Sequence, residues 1–218
     1  MTITIKYQSQ LAEHSISSYI YQWTTAYGDL IQTPTSFKTY GTLSNRIDDN
    51  NNETIQVEFK SFYESHAAMI IGGDRLYQGG DRLYQGGDAL IMEKQIRVLE
   101  FGESLIPNSE NTGKQLQHLQ LKLDGLNIEN DFYPSLCSIS QAFDAGPANP
   151  YQGGIDHGTY NLLRGNATPM LEILKSQGID VDSPLKDIAI ASQFEVVVDI
   201  PIIDTVGAAD SSEILLAA

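Results

Sequence analysis

The chain has 218 residues, enough for one well-buried core, and no shift in composition calls for a second. Its formal charge of −15 repels phosphate backbones and anionic lipid, which excludes nucleic acid and membrane surfaces as partners. No apolar run approaches the roughly 18 residues that a spanning helix needs.

Residues 1–7 alternate apolar and polar as a strand does, and they lack the basic start, apolar block and cleavage site of a secretory signal peptide. That pattern predicts either a cytoplasmic protein or export by a route that does not read the N-terminus. Ser15 is a helix cap. The helix it opens runs to Tyr27 and stops at Gly28, with Ile16, Tyr19, Ile20, Trp23 and Tyr27 along one apolar face. Residues 32–39, with Pro34 among them, read as a surface loop, and 48–52 as a polar turn. Strands are predicted over 54–62, 67–71 and 94–101. Another carries Leu119, Leu121 and Leu123 in regular alternation, the mark of a half-buried antiparallel strand, and Gly125-Leu126-Asn127-Ile128 extends or turns it.

Residues 143–156 read as a long loop. Tyr160, Leu162 and Leu163 belong to a short helix ending at Gly165. Thr168-Pro169 places a cap before a first-turn proline in a helix stopped by Gly178, and Ser183-Pro184 opens a last helix that reaches about Ser192. Strands first and helices later predict an α+β fold, one antiparallel sheet backed by helices.

The most unusual stretch is a uninterrupted duplication. Gly-Gly-Asp-Arg-Leu-Tyr-Gln occupies 72–78 and again 79–85, and a third Gly-Gly-Asp begins at Gly86. Paired glycines predict a loop, one that offers Leu76 and Tyr77, then Leu83 and Tyr84, in two equivalent registers. A phenolate is a hard anionic ligand suited to ferric iron, and tyrosine is an established axial ligand of haem. The competing chemistry is calcium, because Gly/Asp repeats build calcium β-rolls. Here the period is seven, the third glycine and the delayed aspartate of that repeat are missing, and two copies are too few to stack. Cys137, the only cysteine, permits no intramolecular disulfide and reads as a small buried residue. His14, His66, His118 and His157 match no metal spacing; His118 falls in a strand and the others read as exposed. No enzyme signature is present.

Three separated stretches together resemble the secreted bacterial haemophores of the haem acquisition system A (HasA) type. The first is Tyr7-Gln8-Ser9, Ser15-Ile16, Gln22-Trp23 and Tyr27-Gly28-Asp29. The second is Leu162-Leu163-Arg164-Gly165-Asn166 with Pro169-Met170-Leu171-Glu172, and the third is the terminus from Asp210 to Ala218, ending Leu-Leu-Ala-Ala. Phe101-Gly102-Glu103 and Asp124-Gly125-Leu126-Asn127 keep the register between them.

The resemblance implies an α+β fold with a curved antiparallel sheet on one side, helices on the other, and haem held between two loops at one edge. It implies a non-enzymatic, secreted carrier of ferric haem b that delivers its cargo to an outer-membrane receptor. Export would use an ABC-type, type I machinery reading an uncleaved C-terminal signal. Residues 1–205 would then form a single domain and 206–218 the signal tail, in a monomer or a haem-linked dimer. On the first loop it points to Gln32, Thr33, Phe37 and Tyr40. Gln32 stands where the best-known members place a histidine ligand, so that axial position is empty, or Gln32 touches haem without bonding to iron. On the second loop it points to Leu76, Tyr77, Leu83 and Tyr84, with a tyrosinate on iron. Counting back from Phe101-Gly102 reaches Tyr84, counting forward from Ala67-Ala68-Met69-Ile70 reaches Tyr77, and Tyr84 ranks first. Seven extended residues span about 23 Å, so the two phenols need not share a site. Leu90 replaces the histidine that supports the tyrosine in relatives, and Leu163 replaces a methionine under the haem.

Overall fold

The computed structural model describes residues 2–32, 42–47, 53–61, 66–74, 95–108, 113–145 and 149–194. Seven strands form one sheet: β1 (Thr4–Tyr7), β2 (Thr42–Ile47), β3 (Glu53–Lys60), β4 (Ala67–Asp74), β5 (Gln95–Pro107), β6 (Lys114–Ile128) and β7 (Ala191–Gln193), in the order β2-β3-β4-β5-β6-β1-β7. Neighbours are antiparallel except β1 and β7, which run parallel and make the sheet mixed. Four α-helices lie among the described residues: α1 (Ile16–Tyr27), α2 (Phe132–Ala145), α3 (Gly158–Leu163) and α4 (Thr168–Ser176). Among the described residues no helix is long and apolar enough to cross a membrane.

The α+β expectation holds, and α1 follows its sequence closely. Ser15 Oγ accepts from Ser18 N while Ser18 Oγ donates to the Ser15 carbonyl and accepts from its N–H, a reciprocal cap, and Gly28 ends the helix at φ +81°. The five residues of the predicted apolar face are all buried against the sheet, among Val57, Phe59, Met69, Ile71, Leu99, Leu121 and Leu123. Burying a side chain of this size stabilises by about 1.5–3 kcal/mol, so this face accounts for α1 docking.

The sheet is curved, and two hydrogen bonds show it. Gln56 Nε2 donates to the Lys114 carbonyl at 2.8 Å, and Lys114 N donates to Glu58 Oε1 at 3.1 Å. β3 and β6 are three places apart in the sheet, about 14 Å if it lay flat. Contact is possible only because the β5–β6 hairpin curls back over the outer face, where Ala68, Ile70 and Leu116 form a second small core with Leu105 and Leu119.

That second core corrects one expectation. Leu121 and Leu123 face the helices, while Leu119 packs on the outer side. The register slips by one residue between Phe101↔Leu121 and Gly102↔Leu119, so Gln120 is a bulge and the alternation reverses there. Gln120 turns inward, where its Oε1 accepts from Tyr19 at 2.9 Å.

Other expectations are corrected by pairing and by length. Gly72, Gly73 and Asp74, read as loop, are the last rungs of β4, opposite Val98, Ile96 and Gln95 with a register shift at the glycine pair. The predicted last helix is a single 3-10 turn, Leu185–Asp187, because the chain then pairs with β1 as β7, which includes Ser192. The cap of α4 is Ala167 and not Thr168, whose N–H is accepted by Asn166 Oδ1. α2 occupies a stretch to which the sequence reading gives no element and takes the first residues of the supposed 143–156 loop. Its apolar residues Phe132, Leu136, Ile139 and Ala142 do repeat at helical spacing, although Pro134 and three serines obscure the pattern. Cys137, expected buried, is half-buried on α2, and His14 and His157, expected exposed, are half-buried; His66 is exposed and His118 lies in β6. The polar turn at 48–52 lies outside the described residues.

Two substitutions test this packing. Tyr27 is fully buried, its hydroxyl has no hydrogen-bond partner among the described residues, and burial pushes its phenol pKa up. Tyr27→Phe therefore removes an uncompensated polar group and leaves stability unchanged or raises it by about 1 kcal/mol in urea unfolding. A side chain at Gly102 would collide with the backbone carbonyl of His118, so Gly102→Ala lowers stability by about 3 kcal/mol in the same assay.

Candidate functional site

α1 delivers the chain to the first candidate loop. Trp23 stacks on Tyr27 with ring centroids 4.9 Å apart, meets Phe101 edge-on at 5.1 Å, and donates its indole N–H to the Gly102 carbonyl at 3.3 Å. The Tyr27 carbonyl accepts from Ser61 Oγ at 2.8 Å, which ties the end of α1 to the turn between β3 and β4. The chain then passes Gly28 and Asp29 into a 3-10 turn, Leu30–Gln32, in which Leu30 is buried and Gln32 exposed.

Asp29 organises this root. Its Oδ1 accepts from Ile31 N at 3.0 Å and from Arg164 Nε at 2.6 Å, and its Oδ2 faces Gln32 Nε2 at 3.4 Å. Arg164 follows α3 directly. It donates a second bond to the Tyr160 hydroxyl at 2.8 Å, with its guanidinium 5.6 Å from that ring's centre. Partial burial opposes the Arg164 charge, and Asp29, by hydrogen bond and charge, together with Tyr160 outweighs it, so its pKa is raised.

α3 is in turn held from α2. Asp131, nearly buried, accepts at its carboxylate from the Gly158 and Thr159 N–H groups and from the Thr159 hydroxyl, the last at 2.6 Å. A carboxylate on otherwise unpaired N–H groups at the start of a helix is favourable both by hydrogen bonding and by charge. Ser135 Oγ adds a bond from Tyr160 N at 3.0 Å.

The second candidate loop leaves from β4 after Asp74 and returns at Gln95. This root lies at the far end of β4 from the turn that touches Tyr27. Ala67 to Asp74 is seven steps, about 23 Å of strand. The twenty residues 75–94 have contour length to cover that distance.

Of the residues singled out in sequence, Gln32 is exposed at the first root, and Leu163 is fully buried on α3 beside Arg164. A ligand meets Leu163 only if the side chains over it move. Thr33, Phe37, Tyr40, Leu76, Tyr77, Leu83 and Tyr84, and the support position Leu90, lie outside the described residues. Asp29 and Arg164 appear in the sequence as parts of motifs, and only the fold shows that they touch; a charged pair 135 residues apart leaves no local signal. No group of three histidine, cysteine or acidic side chains able to hold a metal ion occurs among the described residues.

The family model of Heme-binding protein A (HasA) matches residues 1–218. No curated relative matches by sequence. Among solved structures, the apo hemophore HasA from Yersinia pestis in its tetragonal form is similar at 29% identity and a TM-score of 0.63, covering 89% of this chain and 97% of that one. The holo hemophore HasA from Yersinia pestis gives 29% identity and a TM-score of 0.62, with 89% and 99% covered. A tyrosine-to-alanine mutant of HasA from Yersinia pseudotuberculosis, a monomer, gives 27%, 0.61, 89% and 99%.

The Asp131 arrangement sets a test of the scaffold. Asp131→Ala strands three buried donors at α3 and costs about 3 kcal/mol or more in urea unfolding, whereas Asp131→Asn, which keeps one acceptor oxygen, costs about half of that.

Proposed function

The chain belongs to the Heme-binding protein A (HasA) family, and from that premise we propose that it is a secreted haemophore that captures ferric haem and delivers it to an outer-membrane receptor. The observation that carries this reading is the match of the family model along the whole chain, supported by 29% identity to a haem-loaded hemophore over most of both chains. A phenolate is a hard donor suited to ferric iron, whereas the Gln32 amide is a poor one, so the tyrosines are the candidate iron ligands.

The porphyrin is buried between the 32–42 and 74–90 loops, where Thr33, Phe37, Tyr40, Leu76 and Leu83 give it contact surface. A phenolate from Tyr84, or from its duplicate Tyr77, bonds the iron. A free phenol titrates near 10, so the proton must leave when iron binds at neutral pH. Leu90 accepts no proton, so this bond depends on pH, and haem affinity falls as the medium is acidified. Gln32 contacts haem without ligating the iron. Leu163, buried beside Arg164, would contact the porphyrin once the side chains over it move. The receptor frees the cargo by displacing the loop, after which the phenolate regains its proton. An ABC-type exporter reads residues 206–218, and residues 1–205 form the carrier domain. The mechanism leaves the covalent structure of the porphyrin unchanged and only attaches and releases its iron, which is the work of a carrier and not of an enzyme.

Ferric haem titration followed by visible absorbance tests this, on the parent and on Tyr77→Phe, Tyr84→Phe and the double variant. The parent is expected to give a saturable tyrosinate-type spectrum that Tyr84→Phe removes. Loss in Tyr77→Phe alone would reassign the ligand, and loss only in the double variant would make the copies interchangeable. A parent that takes up no haem overturns the reading.

A further inference from the structure

The described part of the first loop ends at Gln32, and Asp29 determines how that side chain is presented. Both Asp29 oxygens are engaged, Oδ1 by Ile31 N at 3.0 Å and Arg164 Nε at 2.6 Å, Oδ2 by Gln32 Nε2 at 3.4 Å. The location is electrostatically poor for a carboxylate. It lies just past the C-terminal end of α1, where the unpaired carbonyls make the potential negative, and α1 has no basic residue in its last turn. Arg164 supplies the missing cation from α3. It can come this close because Gly165, at φ +78°, turns the chain beside α1, where a Cβ would stand 3.3 Å from the Gly28 carbonyl oxygen.

The two ends of a glutamine amide have opposite chemistry: the NH₂ group only donates and the oxygen only accepts. Asp29 takes one of the two N–H groups at the donor end. Resting on the haemophore reading, we infer that Asp29, neutralised by Arg164, is a positioning residue that holds one N–H of the Gln32 amide and so fixes the direction in which Gln32 meets bound haem. The NH₂ group carries two N–H donors, so the one that Asp29 does not hold is left to meet a carboxylate of the cargo. The specificity of this edge of the site depends on an ion pair that touches no cargo itself.

The test has one readout without haem and one with it. In the haem-free full chain, amide hydrogen exchange is compared between the parent, Arg164→Met, Arg164→Lys and Asp29→Ala. Loss of a charge-assisted bond predicts about tenfold faster exchange at Ile31 and Gln32 in Arg164→Met and Asp29→Ala, with α4 amides unchanged and a smaller effect in Arg164→Lys. With ferric haem loaded, release is timed in Asp29→Ala, Gln32→Leu and the double variant. Each single change is expected to speed release, and the double variant to release no faster than Gln32→Leu. Unchanged exchange at Ile31 and Gln32, or additive effects on release, overturns the inference while the haemophore reading stands. A parent that binds no haem overturns both.

Discussion

The absence of a side chain at position 102 is the constraint on which the rest of the fold depends. β5 and β6 close there until a Cβ would strike the His118 carbonyl, the register slips by one residue at Gln120, and β6 changes the face it presents. The slip has consequences on both sides of the sheet. Inward, the Gly102 carbonyl is free to accept from Trp23, and Gln120 from Tyr19, which fastens α1 at two points. Outward, Leu116 and Leu119 come to face Ala68 and Ile70, which gives the curling hairpin a core of its own. Helix placement and sheet curvature are therefore one event.

From that anchor the two candidate loops inherit their positions by different means. The first depends on side chains. Asp131 holds the start of α3, α3 sets Arg164, Arg164 holds Asp29, and Asp29 holds the turn that ends at Gln32. Asp131 to α3 and Arg164 to Asp29 are charge-assisted bonds between residues far apart in sequence, and the position is held only while both are made. The second loop depends on backbone pairing of β4 with β5 through Asp74 and Gln95. The roots of the two loops are thus held differently, one by a side-chain relay and the other by a sheet.

How much of this was legible beforehand follows the range of the interactions. α1 reads directly from Ser15, Gly28 and a five-residue stripe, because caps and periodicity are local. The Leu119 and Leu121 split was invisible, since the bulge that separates them is decided by Gly102, on another strand. The final segment was misread for a similar reason. Ser183-Pro184 is a fair start for a helix, and a parallel partner in β1 outweighs that local preference. Of the site, Gln32 and Leu163 were picked out by resemblance, whereas the ion pair that links their neighbourhoods needed coordinates.

The duplication shows why identical sequence need not mean identical role. The first Gly-Gly-Asp is sheet, with Gly72 against Val98 and Asp74 against Gln95. Tyr77 therefore stands three residues past a fixed rung, and its Cα lies within about 10 Å of that of Asp74. Tyr84 is ten residues past the same rung and eleven before Gln95, so its tether is about 35 Å on either side. The two roots are separated by about 23 Å of β4. By chain length alone, the short tether gives less reach from the β4 end than the long one. The two copies therefore differ in reach although not in residue type.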